Sequence, residues 1–232
     1  MSNPQTKRKH AILSASASHR WMNCTPSARL CERYGDVSSV YADEGTDAHT
    51  LCEHKLKTSL GISVDSSTPS LSYYNNEMER FATEYVEYIL GISKKSENIL
   101  VERKLDFSDY VPEGFGTGDC IVLVDETLYV IDFKYGAGVF VSAEDNPQMK
   151  LYALGALNLF KGKKNICSVS MTIYQPRLGN VSTYTMPSEL LYKWADEVLR
   201  PAAKAAFAGE GTRVCGDWCR FCKAKYDCTT KC

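Results

Sequence analysis

The sequence has no run of apolar residues long enough to cross a bilayer, and no apolar segment follows its polar, basic start. We therefore expect neither a membrane span nor a secretory signal, and a cytoplasmic protein. A glycine-rich phosphate-binding loop with its lysine is also missing, which argues against an ATPase motor. The net charge of -1 means that any surface for nucleic acid must be local. The two basic stretches, residues 7–9 and 161–165, are more typical of a solvated tail and a solvated turn.

Cysteine, in contrast, is abundant for a cytoplasmic chain. There are ten cysteines, and half of them fall between Cys215 and Cys232 at the end of the sequence. Because a reducing compartment disfavours disulfides, this clustering indicates metal ligation.

Hydrophobic periodicity predicts one mixed α/β domain built around a single sheet, without internal repeats. Residues 1–10 are expected to be a disordered tail, and residues 14–34 are weakly helical. Helical spacing covers residues 44–60, 77–90, 147–160 and 188–208. Alternating patterns predict strands at residues 99–107, 118–124, 128–133, 167–174 and 181–186. In the last helix the residues expected to face inward are Leu191, Trp194, Ala195, Val198 and Leu199.

The predicted hairpin of residues 118–133 carries the sharpest chemical pattern. Asp119 ends a Gly-Thr-Gly-Asp stretch, and Asp132 is followed two residues later by Lys134 on the same strand face. Acids on neighbouring strands can hold one divalent cation, which offsets phosphodiester charge and activates water. The acid-x-lysine pattern recurs at Glu53, on a helix, and at Glu102, which we interpret as an ordinary strand charge rather than an outer ligand. An ordinary solvated hairpin with an ion pair is the alternative.

Two further patterns favour a site. His49 follows a glycine-bearing helix start, and its imidazole could add a nitrogen ligand that suits Mn²⁺ as well as Mg²⁺. Gln148 and Tyr152 are four residues apart and share a helix face, so either could bind phosphate or the attacking water. Taken alone, the His49 pattern is more typical of a structural histidine. The Gln148 and Tyr152 pattern, taken alone, is more typical of a glutamine near the helix cap beside a tyrosine in the core.

Over about residues 11–232, the chain resembles RecB-like nucleases of the PD-(D/E)xK superfamily. The motifs that match this family are, in order, His49, Asp119, Asp132-x-Lys134 and Gln148-x-x-x-Tyr152. The chain looks most like phage-borne members known as a domain of unknown function. The resemblance implies a restriction-endonuclease-like core, with a central mixed β-sheet flanked by helices. It implies one or two Mg²⁺ or Mn²⁺ ions, Lys134 as the catalytic lysine, and Gln148 and Tyr152 in support. The implied metal ligands are His49, Asp119, Asp132 and the carbonyl of Phe133. Many relatives have Glu in place of Asp132, and the shorter side chain could alter metal placement.

The late cysteines form a C-x2-C-x5-C run of Cys219, Cys222 and Cys228, and Cys24 is the best candidate for a fourth ligand. This spacing resembles RecB-like nucleases with an iron–sulfur cluster, and implies a [4Fe–4S] clamp joining residues 11–34 and 209–232. Four-thiolate zinc is the alternative. Cys31 could replace Cys24, and Cys215 or Cys232 could replace a late ligand. The remaining cysteines are interpreted as small core residues: Cys52, Cys120 and Cys167.

The sequence therefore predicts a metal-dependent deoxyribonuclease that cuts from an end or on a single strand. The phage-like resemblance implies DNA and phage replication or recombination proteins as partners, in the bacterial host cytoplasm. The alternatives are a catalytically silent nucleic-acid-binding module and a metal-stapled scaffold, and the scaffold predicts that the acids do not converge. Arg177 could reach a phosphate or lie in solvent. The tryptophans are interpreted as packing residues: Trp21, Trp194 and Trp218.

Overall fold

A five-stranded sheet in the order β1–β2–β3–β4–β5 forms the centre of the computed structural model. The strands are β1 Asn98–Asp106, β2 Phe115–Val124, β3 Thr127–Phe133, β4 Ser168–Gln175 and β5 Asn180–Pro187. β3 and β4 are parallel, whereas the other neighbours are antiparallel. The structure describes residues 11–35, 39–64, 69–94, 96 and 98–230. The predicted tail, its basic stretch 7–9 and Cys232 lie outside the described residues.

Helices cover both faces of the sheet, as the sequence predicted. They are α1 Ser18–Asn23, α2 Ser27–Cys31, α3 Val40–Ser59, α4 Asn76–Ser93, α5 Pro147–Phe160, α6 Ser188–Trp194 and α7 Arg200–Ala208. A π-helical turn, Ala195–Leu199, joins α6 to α7. No helix in the described parts of the chain combines the length and the apolar character that a membrane span requires.

Side-chain caps explain where the three long helices begin. Ser39 accepts a hydrogen bond from the Ala42 N–H at the start of α3, and Asn75 caps α4 in the same way. The Asn146 side chain accepts two N–H groups of α5, whose first residue is proline. α3 begins four residues before the predicted start, because exposed Val40 and Tyr41 add no periodic signal.

Alternate residues of β2 and β3 face two separate cores. Cys120 and Val122 pack with α3 and α4, whereas Ile121 and Leu123 pack with α5 and the C-terminal helices. The same alternation on β3 places Phe133 in the α3–α4 core. The end of this hairpin therefore lies where helices from both layers can contribute side chains.

Two predicted core positions were wrong. Val198 is 49% exposed because it lies in the π-helical turn, where the 3.6-residue spacing no longer holds. Cys167 is exposed because it precedes β4, and its thiol contacts the Glu126 carboxylate. The other two cysteines of that set, Cys52 and Cys120, are buried as expected.

Candidate functional site

Three elements bring His49, Glu102 and Asp119 together beside the middle of the β1–β2 pair. One ligand atom from each of the three side chains lies within 4.8 Å of the others. His49 comes from α3, Glu102 from β1 and Asp119 from β2. The Nδ1 atom of His49 is 3.5 Å from Oδ2 of Asp119. One nitrogen and two carboxylates at this spacing are a donor set suited to a divalent cation such as Mg²⁺ or Mn²⁺.

Strand register places Glu102 beside Asp119. Val101 pairs with Cys120 and Arg103 with Gly118, so Glu102 is directly opposite Asp119. Glu102 also has a φ of 48°, a left-handed conformation that non-glycine residues seldom adopt. The interpretation of Glu102 as an ordinary strand charge is therefore corrected: its carboxylate belongs to the group of potential ligands.

Asp119 also joins the two strands of the hairpin. Its Oδ2 accepts a hydrogen bond of 2.7 Å from the Phe133 N–H. The His49 ring packs edge-on against the Phe133 ring, with centroids 5.5 Å apart. These contacts orient the Asp119 carboxylate and the imidazole toward each other. The Phe133 carbonyl as a metal ligand stays a prediction.

A second group of polar side chains surrounds Asp132, which lies outside the compact trio. Lys134 Nζ is 2.8 Å from Asp132 Oδ2. Gln148 donates from Nε2 to Asp132 Oδ1 at 3.2 Å and accepts from Lys134 at Oε1, also at 3.2 Å. Its Nε2 is 3.4 Å from the Tyr152 hydroxyl. The structure thus brings the Asp-x-Lys and Gln-x-x-x-Tyr motifs into one network.

Gly116 makes room for this network. A Cβ at residue 116 would lie 2.9 Å from Cε1 of Tyr152, closer than side-chain carbons normally approach. The glycine two residues later, Gly118, faces Leu105 in the same tight manner. Gly116 therefore allows close packing of α5 on β2, and Gly118 allows close approach of the Leu105 side chain on β1.

The site holds excess negative charge. Burial lowers the pKa of His49, but the carboxylates of Asp119, Asp132 and Glu102 outweigh it and raise this pKa to about 9. Burial and the nearby Asp119 carboxylate raise the pKa of Glu102 to about 7. His49 and Glu102 therefore keep their protons to a higher pH than usual, at positions where a bound cation could supply the positive charge instead.

Lys134 is charged within this site. Burial alone would lower the pKa of Lys134, but the adjacent Asp132 carboxylate raises it above its usual value. Burial raises the pKa of Asp132, and the Lys134 ammonium opposes that rise. The two side chains consequently form a buried ion pair beside the trio.

Arg177 does not lie in solvent. Its guanidinium contacts Glu44 at 3.0 Å and Glu77 at 3.4 Å, and lies 4.8 Å from the ring centroid of Tyr135. These contacts tie the end of β4 to α3 and α4. Arg177 is thereby paired with two acids, and its proposed phosphate contact stays a prediction.

A family model for proteins of unknown function, DUF2800, matches residues 10–232. The chain belongs to the DUF2800 family. A crystal structure from Eubacterium rectale described as a "putative exonuclease" is similar to this DUF2800 chain with a TM-score of 0.50 and 11% identity, covering 100% of this chain and 95% of that one. A crystal structure of LHK-Exo in complex with dAMP matches with a TM-score of 0.35 and 13% identity, covering 84% and 91%. The likeness to the Eubacterium rectale structure concerns the fold alone.

Six cysteines of the DUF2800 chain's described residues lie together where the first and last described segments meet, residues 20–31 and 213–228. A cavity of about 510 Å³ is lined by Cys24, Cys215, Cys219, Cys222 and Cys228 among others. Cys215 is disulfide-bonded, so the expectation that it could replace a late ligand is wrong. Cys31 lies beside this group, with its Sγ 3.7 Å from Sγ of Cys222. Trp218 lines the cavity, Trp21 is fully buried, and Trp194 stacks with Lys150.

Hydrogen bonds hold these two ends together. Thr25 donates to the Glu210 carbonyl, Arg29 donates to the Phe207 carbonyl, and His19 contacts Asp217 at 3.1 Å. The N-terminal helices also pack on α7. These contacts place the early cysteines near the late ones.

Sequence reasoning named Glu102 but interpreted it as an ordinary strand charge rather than a ligand. The available signal was its spacing: it is the first acid of a Glu-x-Lys pattern on the strand before the Gly-Thr-Gly-Asp stretch. Only the strand register shows that it faces Asp119. The basic stretch 161–165 is an exposed turn after α5, in agreement with the solvated-turn interpretation.

Proposed function

We propose that this protein is a metal-dependent deoxyribonuclease that hydrolyses phosphodiester bonds. The observation that carries the proposal is the convergence of His49, Glu102 and Asp119 beside the buried Asp132–Lys134 pair. A scaffold with no chemistry has no need to bury acids together, since each one costs desolvation energy. The convergence therefore favours an enzyme over the scaffold alternative.

His49, Glu102 and Asp119 would hold one Mg²⁺ or Mn²⁺ ion, with Asp132 and the Phe133 carbonyl at its side. The fit rests on the donor spacing and on the raised pKa values of His49 and Glu102, which indicate a local shortage of positive charge. Such a cation offsets charge on the scissile phosphate and lowers the pKa of water.

Lys134 would supply the remaining positive charge. Its raised pKa keeps the ammonium protonated, so it can stabilise negative charge that develops on the phosphate oxygens. Gln148 holds both members of the Asp132–Lys134 pair through its amide, which fixes where the ammonium points. Tyr152 contacts the same amide, and burial raises its pKa, so its hydroxyl stays neutral and able to donate.

The substrate assignment to DNA, cut from an end or on a single strand during phage replication, recombination or processing, rests on the motif resemblance. The description of the Eubacterium rectale structure as an exonuclease agrees with it. The silent binding module differs in one respect: it would bind DNA but give no metal-dependent product.

The cysteine group would hold a [4Fe–4S] cluster through Cys24, Cys219, Cys222 and Cys228. All four line one cavity, which supplies the space that a cluster needs. Four-thiolate zinc is the alternative, and a tetrahedral ion with bonds of about 2.3 Å requires sulfurs about 3.8 Å apart. The Sγ atoms of Cys31 and Cys222, which are 3.7 Å apart, have that spacing. The cluster would have a structural role, joining residues 11–34 to residues 209–232.

A cleavage assay tests the nuclease proposal. End-labelled single-stranded DNA, duplex DNA and RNA of one sequence are incubated with Mn²⁺ or with EDTA. We compare wild type with Asp132→Ala, Lys134→Ala and a matched control, Lys204→Ala, which removes an exposed lysine on α7.

The proposal predicts DNA products in Mn²⁺ but not in EDTA, from wild type and Lys204→Ala only. Equal product from all four proteins, or the same product in EDTA, would contradict it. DNA binding by folded wild-type protein without product would identify the silent module instead. Circular dichroism melts establish that each variant is folded.

A further inference from the structure

The loop of residues 135–146 connects the two polar motifs of the site. It begins directly after Lys134 and ends at Asn146, which caps α5 two residues before Gln148, whose side chain reaches Asp132. Near its middle, Phe140 is 67% exposed. An aromatic side chain is thus presented to solvent on a segment whose ends are both anchored at the site.

Buried amides fix the backbone on both sides of Phe140. Gln175 donates to the Val139 carbonyl at 3.0 Å and accepts from the Val141 N–H at 2.8 Å. Asn180 donates to the Val141 carbonyl at 2.9 Å and to Gln175 at 2.8 Å. Gln175 and Asn180 are 2% and 8% exposed, so these bonds form away from water. Three hydrogen bonds from buried amides therefore hold this part of the loop, which contains two glycines on the side of Lys134.

The anchoring point lies at the same end of the sheet as Lys134. Gln175 is the last residue of β4, and its neighbour Tyr174 accepts a hydrogen bond of 2.8 Å from the Lys134 backbone N–H. A loop held by Gln175 therefore lies at the sheet end that carries Lys134. Two buried amide side chains thus hold a loop whose central aromatic ring is largely exposed.

We propose that Phe140 is a stacking platform for a base of single-stranded DNA next to the scissile phosphate. This inference rests on the proposed nuclease function and names the substrate contact of that same site. The exposed face of a phenyl ring stacks on any base, which suits an enzyme that follows a strand without reading its sequence. A loop anchored by these hydrogen bonds fixes the distance from the ring to Lys134, so stacking would set which phosphate reaches the site.

A cycle of protein and substrate changes tests the stacking directly. Cleavage of a single-stranded oligonucleotide in Mn²⁺ is measured for wild type, Phe140→Ala, Phe140→Trp and a control, Tyr192→Ala, which removes an exposed aromatic ring on α6. Each protein is also given substrates with one abasic nucleotide at successive positions. The proposal predicts that Phe140→Ala raises KM on the order of 10-fold, whereas Phe140→Trp and Tyr192→Ala change it little.

The abasic substrates supply the decisive comparison. At one position the missing base raises the KM of wild type about as much as the Phe140→Ala substitution does. At that position the missing base does not raise the KM of Phe140→Ala any further. The same abasic effect in wild type and Phe140→Ala at every position would overturn the proposal, as would an unchanged KM in Phe140→Ala.

Failure of the nuclease function gives a different result. Wild type would then give no Mn²⁺-dependent product, and the same oligonucleotides would be compared by fluorescence anisotropy in Ca²⁺. Loss of affinity in Phe140→Ala alone, matched by one abasic position in wild type, would still support stacking. Equal affinities of all proteins in that measurement would refute it.

Discussion

Glu102 on β1 lies directly opposite Asp119 on β2, and both carboxylates approach His49 of α3. The proximity of the acids contributes to the pKa of Glu102, which burial and Asp119 together raise to about 7. Two carboxylates held this closely repel each other unless a proton or a cation lies between them. A substitution in this pair of carboxylates is therefore expected to change metal affinity directly.

Removing the Glu102 charge should weaken metal binding. We expect Glu102→Gln to lower Mn²⁺ affinity about 10- to 100-fold, since a carboxamide is a poorer ligand of the same shape. Isothermal titration calorimetry measures this, with Glu87→Gln as the control, because Glu87 is an exposed acid on α4. Equal affinity in wild type and Glu102→Gln would mean that Glu102 is not a ligand.

The stability of the metal-free protein should fall as pH rises. The folded-state pKa of Glu102 is raised to about 7 and that of His49 to about 9, so both groups favour folding in their protonated forms. The Glu102 contribution is complete below its ordinary pKa near 4.5 and is lost as pH approaches 7, and that of His49 is lost as pH rises from about 6.5 to 9.

Calorimetric melts in EDTA from about pH 5 to pH 9 check this sign. We expect Glu102→Gln to reduce the fall in Tm below pH 7. We also expect Mn²⁺ to stabilise wild type more at high pH, where the cation no longer competes with protons. A Tm difference between wild type and Glu102→Gln that stays constant with pH would contradict the assignment.

Two helix glycines offer a matched test of the packing around the site. A Cβ at Gly155 of α5 would lie 2.7 Å from Cβ of Leu105 and 3.3 Å from its backbone, whereas a Cβ at Gly91 of α4 meets nothing within 4 Å. Gly155→Ala should therefore destabilise the protein by about 1–3 kcal/mol through overpacking. Gly91→Ala should stabilise it by up to about 1 kcal/mol through helix propensity.

Urea unfolding of both variants gives the two free energies. The packing account requires opposite signs for the two substitutions. A Gly155→Ala protein as stable as wild type would show that α5 can move away from β1 at no cost.

The early cysteines provide another matched pair. If Cys24 is the fourth cluster ligand, Cys24→Ser should lose iron and colour, while Cys31→Ser should keep both. Anaerobically prepared wild type should be brown and contain about four iron atoms per chain. A colourless protein with one zinc per chain would establish the zinc alternative, and loss of iron in Cys31→Ser alone would transfer the ligand role to Cys31.

Much of the fold was predictable because its signals are local. The β2–β3 hairpin follows from alternation on both sides of Asp125-Glu126, and the start of α5 follows from Pro147 after a capping asparagine. The motif residues of this region also come together in the structure: Asp132, Lys134, Gln148 and Tyr152.

The remaining features depend on tertiary structure. Glu102 enters the trio through strand register and a positive φ, neither of which leaves a pattern in neighbouring residues. The exposure of Val198 follows from a π-helical turn inside an otherwise regular apolar repeat. The approach of Cys31 to Cys222 depends on how residues separated by most of the chain pack together.

Anomalous diffraction from crystals grown with Mn²⁺ tests the central claim most directly. We predict one manganese peak within coordination distance, roughly 2.0–2.4 Å, of His49, Glu102 and Asp119. The absence of a peak there at saturating Mn²⁺, or a peak only at another place on the protein, would contradict the account.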